Sequence, residues 1–189
     1  MNGTGLQEFL RSMPMQIHNT LRKIGKRTIK IVRVCRKPIN SKIKEAINLL
    51  SLGELERTRE RYSYDDIFHL FMIITLDNGE MWTLQKNSIV ELTPYSEKYD
   101  DCPKRYPTKE FTLNELFLIL ETKYSNIYLY DAWSNNCQDF VNKSLHILGI
   151  TDLDDFVLQY FAKPFQKKYM RKITRFLNDA SAIYDRVLR

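Results

Sequence analysis

Asp77-Asn78-Gly79 stands between two apolar stretches, and no other feature of the sequence constrains the fold as much. An Asp-Asn-Gly tripeptide admits the backbone angles of a tight hairpin, so the chain on either side is expected to pair antiparallel. Tyr64 to Leu76 reads as the first strand. It is apolar on both faces near its end, through Phe68, Leu70, Phe71, Met72, Ile73 and Ile74, and is therefore expected to be buried. Met81 to Leu92 reads as the returning strand. A three-residue turn gives cross-strand partners whose numbers sum to 156, with Asn87 opposite His69 and Gln85 diagonal to it. A two-residue Asn78-Gly79 turn gives 157 and places Ser88 there instead.

Around this hairpin the signals alternate between helix and irregular chain. Ser41 to Arg61, entered through Pro38 and Ser41, has Ile43, Ile47, Leu50 and Leu55 among charged residues and reads as one helix. Thr93 to Lys109 carries Pro94, Pro103 and Pro107 and reads as a long loop. Thr112 with Glu115 forms a capping box ahead of Leu113, Leu116, Phe117 and Leu120. Ile127 to Trp133 is a strand or the approach to a turn. Ser134-Asn135-Asn136 then caps a helix from about Asn136 to Leu148, closed by Gly149.

Charge divides the chain in three. Residues 1–48 hold eleven Lys and Arg against Glu8 and Glu45, a balance of +9; residues 163–189 hold eight against Asp179 and Asp185, +6. The centre, 49–162, is −9. We therefore expect a basic N-terminal arm over 1–48, a core over 49–162 and a basic C-terminal helix over 163–189 that packs on the core or extends from it. Ile17, Leu21, Ile24, Thr28, Ile31 and Cys35 follow a helical stripe, as do Phe165, Tyr169, Ile173, Phe176, Ala180, Ile183 and Val187. The β-branched run Thr28, Ile29, Ile31, Val32, Val34 makes a strand over 28–35 the competing reading. Arg22, Lys23, Lys26, Arg27, Lys30, Arg33, Lys167, Lys168, Arg171, Lys172 and Arg175 could neutralise a polyanion, or form solvated faces.

At 189 residues and 43% hydrophobic, the chain can bury one domain's core. Its longest uninterrupted apolar runs, Leu70 to Ile74 and Leu116 to Leu120, are far shorter than a membrane span, and the first twenty residues lack the form of a secretory signal, so an intracellular protein is expected. Cys35, Cys102 and Cys137 lie in unrelated contexts, which argues against both a disulfide framework and a zinc cluster. No nucleotide or metal motif is present, and no cofactor or metal is expected.

Cys137 would occupy the first turn of its helix, where free backbone N–H groups and the helix dipole favour a thiolate. His146 lies nine residues on, across that helix, and His18 sits in the basic arm, so His69 is the candidate base. Asn87, Gln85 or Ser88 would orient it. A buried inert cysteine and a core histidine are the competing explanations.

The string Trp133-Ser134-Asn135-Asn136-Cys137-Gln138-Asp139-Phe140-Val141, preceded by Tyr130, resembles the Asn-Cys box of the circularly permuted papain-like superfamily, which includes NlpC/P60-like, lecithin-retinol-acyltransferase-like and PPPDE-like enzymes. The His-before-Cys order matches, and Phe68-His69-Leu70-Phe71 with Leu84-Gln85-Lys86-Asn87 is similar to papain-like proteins of large DNA viruses. Two departures stand out: Phe71 replaces the Gly that often follows the His by two, and Asp139 replaces a His found in some branches.

The resemblance implies an α+β permuted papain-like core, an antiparallel sheet packed on helices, with the basic helical arms outside it. It also implies a thiol hydrolase or acyltransferase acting on an amide, isopeptide or ester bond of a protein or lipid. Cys137 would attack, His69 would act as base then acid, Asn87 or Gln85 would orient it, and Gln138 or Asn136 would help hold the oxyanion. The alternative is a non-catalytic virion or nucleic-acid-associated protein, monomer or homodimer, in the host cytoplasm, nucleus or virion.

Overall fold

The structure, a computed structural model, describes residues 13–39, 41–96, 102–131 and 134–151. The expected C-terminal helix and its basic residues Lys167, Lys168, Arg171, Lys172 and Arg175 lie outside them.

The first helical stripe is real for only half its length. Helix α1 spans Met15–Ile24 and buries Ile17, Leu21 and Ile24. Past Gly25 the β-branched run becomes strand β1, Thr28–Pro38. The strand reading of this segment is thus the observed one, because β-branched side chains fit a pleated surface better than a helix. The consequence for the N-terminal arm is large: β1 is an interior strand of the sheet, so the second half of that arm is core.

The helix expected over 41–61 is two helices, α2 (Ser41–Leu50) and α3 (Glu54–Arg61). Between them Leu52 and Gly53 both take positive φ, 57° and 78°, which breaks the helical path. Strand β2 (Phe68–Leu76) meets β3 (Met81–Lys86) through the Asp77-Asn78-Gly79 turn, with Gly79 at φ 84°. Pairs such as Phe71↔Gln85, Ile74↔Trp82 and Thr75↔Met81 follow the three-residue register.

The return strand is shorter than expected. It stops at Lys86, turns through Asn87 to Ile89, and comes back as β4 (Val90–Pro94), with Lys86 paired to Val90. The expected loop up to Lys109 is also partly strand: β5 (Lys104–Thr112) pairs with β1, and Pro107 is accommodated because β5 is an edge strand. Helices α4 (Leu113–Lys123) and α5 (Cys137–Ile147) follow; α4 has the capping box read from sequence, and α5 is capped by Asn136, with Asp139 completing a second box that was not foreseen.

The chain is thus α+β, with an antiparallel sheet in the order β4-β3-β2-β1-β5. Alternation gives the sheet two distinct faces. Val32, Val34, Leu70, Met72, Ile74, Leu84 and Leu92 join residues of α1, α4 and α5 in the main core. Cys35, Phe71 and Ile73 form a smaller cluster on the opposite face, with Tyr95 and Cys102 against it.

That second face holds a disulfide between Cys35 and Cys102, Cα to Cα 4.1 Å. This corrects the reading of the cysteines as unlinked. Their contexts are unrelated in sequence, but the β1–β5 pairing ends at Val34↔Lys104 and so brings the two residues together. Among the described residues no helix is long and apolar enough to cross a membrane.

Candidate active site

Cys137 is the first residue of α5. The Asn136 side chain caps this helix, its Oδ1 accepting from the N–H of Gln138 (2.8 Å) and of Asp139 (3.1 Å). The Asp139 carboxylate returns to accept from the Asn136 N–H at 3.1 Å. With the disulfide formed, Cys137 is the one free thiol of the chain, and it is partly buried. Burial pushes this thiol upward from its ordinary range, while backbone hydrogen bonds from Leu70, Gln138 and Cys137 itself pull it down. These backbone contributions favour the thiolate, but burial outweighs them and the thiol stays above its ordinary range. Asn136 serves as the helix cap, spending its carbonyl oxygen on the first turn.

His69 is the second residue of β2, one position before Leu70. It shares its face with Phe71, whose ring lies stacked 6.2 Å away. Its Nε2 is 3.2 Å from the Gln85 Oε1, and the Gln85 Nε2 donates to the Glu91 carboxylate at 3.0 Å. Asn87 donates to the same Glu91 oxygen at 3.0 Å. Because the amide nitrogen of Gln85 is committed to a carboxylate, its oxygen faces the ring, so Nε2 carries the proton and Nδ1 the lone pair. Burial pushes His69 down to about 4, helped by the Lys37 charge and opposed by Gln85 and Glu91. Of the candidate orienting residues, Gln85 touches the imidazole, and Asn87 acts one step further out, on Glu91.

The two halves of the site sit on different faces of β2. Alternation sends His69 to the side of Phe71 and Ile73, whereas Leu70, whose backbone meets the thiol, sends its side chain into the helix-covered core. No hydrogen bond joins the imidazole to the thiol among the described residues. His146 is exposed near the other end of α5, as expected.

The residues around Cys137 that the sequence did not single out are Lys86 and Asp139. Lys86 is fully buried at the end of β3, and its Nζ donates to the carbonyls of Ile127 (2.7 Å) and Leu129 (2.8 Å). Burial pushes it down to about 7; Lys143 adds to this, and Asp139, Cys137 and Asp131 oppose it. The hairpin register carries a usable signal, since Lys86 falls on the same face as core residue Leu84. A lysine at a core position calls for a polar explanation.

Other features lie apart. A cavity of about 380 Å³ is bounded by α2, α3 and residues 65–67, and its charged wall residues Lys44 and Asp66 are paired at 2.7 Å. Five of the six N-terminal basic candidates, Arg22, Lys23, Lys26, Arg27 and Lys30, are exposed where α1 turns into β1. Arg33 is half-buried, against the Tyr95 ring and the Met81 sulfur. No cluster of three or more His, Cys, Asp or Glu is placed to hold a metal among the described residues. No family model, curated protein or solved structure matches the chain.

Proposed function

We propose that the protein is a cysteine-dependent hydrolase or acyltransferase, built on a permuted papain-like core, that acts on an amide, isopeptide or ester bond of a protein or lipid. The observation that carries this reading is Cys137 at the first position of a capped helix, beside the positive end of the helix dipole. Attack of the thiolate on a carbonyl carbon places negative charge on the carbonyl oxygen, and N–H groups at the α5 N-terminus are the donors nearest to hold it. Collapse expels the amine or alcohol and leaves an acyl-thioester, which water or an acceptor then clears.

His69 serves as base and then acid, oriented by Gln85 and, behind it, Glu91. That role requires the ring to reach the thiol round the end of the sheet, where β3 pairing has already stopped at Gln85↔Phe71. The disulfide favours an oxidising setting, such as a virion, over a reducing cytosol.

The test is iodoacetamide labelling of Cys137 from pH 5 to 9 in the wild type and His69→Ala. Reaction well below the ordinary thiol pKa of about 8.5, lost in His69→Ala, supports the pair. A thiol that reacts only near 8.5 in both proteins overturns it.

A second reading rests on the exposed corner of Arg22, Lys23, Lys26, Arg27 and Lys30, a site for nucleic acid or another polyanion. It predicts binding that weakens steeply with salt and is unchanged by Cys137→Ala.

A further inference from the structure

Around α2 and α3, cations meet carboxylates. Lys44 pairs with Asp66 at 2.7 Å, Arg36 with Asp65 at 3.5 Å, Arg57 with Glu54 at 3.0 Å, and Arg59 with Glu56. Where α1 turns into β1, and along β5, the pattern is different. Arg22, Lys23, Lys26, Lys30, Arg105 and Lys109 are exposed, and none has a carboxylate within ion-pair distance among the described residues.

Strand pairing brings these six together. Between the pairs Ile29↔Phe111 and Ile31↔Pro107 the edge strand has three residues where β1 has Lys30 alone, so Lys109, the middle one, bulges beside Lys30. The Thr108 hydroxyl donates to the Ile29 carbonyl at 2.6 Å and fixes the bulge. Further along the same two strands Arg105 is directly opposite Arg33. The corner is held as well: at the start of α4 the N–H groups of Leu113 and Asn114 donate to the carbonyls of Arg27 (3.1 Å) and Gly25 (2.8 Å). From Lys26 through Lys30 and Lys109 to Arg105 the cations follow one line along the strands, about 25 Å long at roughly 3.3 Å per residue.

Such a line is costly by itself. Like charges directly opposite on neighbouring strands repel, and Arg33 turns aside to lie against the Met81 sulfur (3.4 Å) and the Tyr95 ring. Charges and a proline on an edge strand discourage pairing with another chain, which accounts for Arg105, Pro107 and Lys109. It does not account for the cations of α1, or for Lys30 on an interior strand. The carboxylates at the margin are Asp77, 3.9 Å from Arg27, and Glu110, next in sequence to Lys109.

A row of phosphates would offset this repulsion. Single-stranded nucleic acid is held largely by bases stacked on exposed rings, and the exposed aromatic ring among the described residues, Tyr62, stands at the end of α3, away from the line. Tyr106 and Phe111 of β5 pack against the main core. Phosphate contact without stacking is how the backbone of a duplex is bound.

We propose that the α1–β1 corner and the edge strand β5 form one continuous site for the phosphate backbone of duplex nucleic acid, with Lys30 and Lys109 at its centre. The site rests on the polyanion reading of that corner and extends it to Arg105 and Lys109.

The experiment measures binding to the full oxidised chain by fluorescence anisotropy, with a mixed-sequence DNA duplex of about 20 base pairs and its single strand, from about 50 to 200 mM salt. The wild type should bind the duplex more tightly. Arg105→Gln with Lys109→Gln should weaken duplex binding roughly tenfold at the lowest salt and flatten the slope of log affinity against log salt by about 2; Lys26→Gln with Lys30→Gln should do the same. All four side chains are exposed, and thermal unfolding is compared to show that the variants fold.

A flattened slope for the α1–β1 variant alone overturns the proposal and leaves the polyanion reading of the corner standing. An unchanged slope in both variants overturns both. Self-association of the β5 variant on size-exclusion chromatography, with duplex binding unchanged, overturns the proposal in favour of a guarded edge. Tighter binding of the single strand overturns the assignment to a duplex.

Discussion

The two faces of the sheet solve the problem of burial by different means. The helix-covered face is apolar and continuous, with Val32, Val34, Leu70, Met72, Ile74 and Leu84 packed under α1, α4 and α5, and a single lysine, Lys86, set among them. The opposite face has a small apolar cluster of Cys35, Phe71 and Ile73, a covalent link to Cys102, and the polar chain His69–Gln85–Glu91–Asn87. Where apolar area is plentiful, packing suffices and a buried charge can be carried. Where it is scarce, cross-linking and a satisfied polar network take over.

This contrast can be broken most forcefully at the disulfide. Reduction, or Cys35→Ser with Cys102→Ser, frees a link between residues 67 apart in sequence and should cost about 4 kcal/mol in urea unfolding. A loss below roughly 1 kcal/mol would mean that the second face is held by other contacts.

A smaller effect lies in the polar chain. The folded His69 titrates at about 4 and the unfolded one near 6.5, so the unfolded chain binds the extra proton first. Stability is therefore complete above pH 6.5 and falls as pH drops through 6.5 to 4, by on the order of 2 kcal/mol with the ring's partial exposure allowed for. His69→Gln should flatten that slope in denaturation measured at several pH values; an unchanged slope would assign it to other groups.

The smallest effect compares two caps on the helix-covered side. Thr112→Ala and Asn136→Ala should each cost about 1 kcal/mol, since both remove a side chain that accepts from the first turn. Only Asn136→Ala should also slow Cys137 alkylation. Equal effects on the thiol from both variants would separate its reactivity from the order of the α5 N-terminus.

Much of this was legible in sequence where the signal is local. The Asp77-Asn78-Gly79 hairpin, the Thr112–Glu115 capping box, the cap ahead of α5 and the place of Cys137 depend on a few neighbouring residues and stand as read, and of the two registers the turn allowed the three-residue one is observed. The three-residue register put Gln85 only diagonal to His69 and Asn87 opposite it, and the structure chooses Gln85. The failures share a cause. Thr28 to Cys35 fits both a helical and a strand pattern, and its choice is made by the partners β2 and β5, which lie 40 and 76 residues on. The Cys35–Cys102 link depends on that same pairing.

By itself, then, the sequence determined the turns, the caps, the buried first strand of the hairpin and the chemistry available at Cys137, because each rests on interactions within a few residues. Tertiary structure alone decided that β1 is interior, that Cys35 meets Cys102, that His69 and Cys137 stand on opposite faces of β2, and that Lys86 is buried against the carbonyls of Ile127 and Leu129. These depend on which strands pair and which face a helix covers, and distant parts of the chain settle both together.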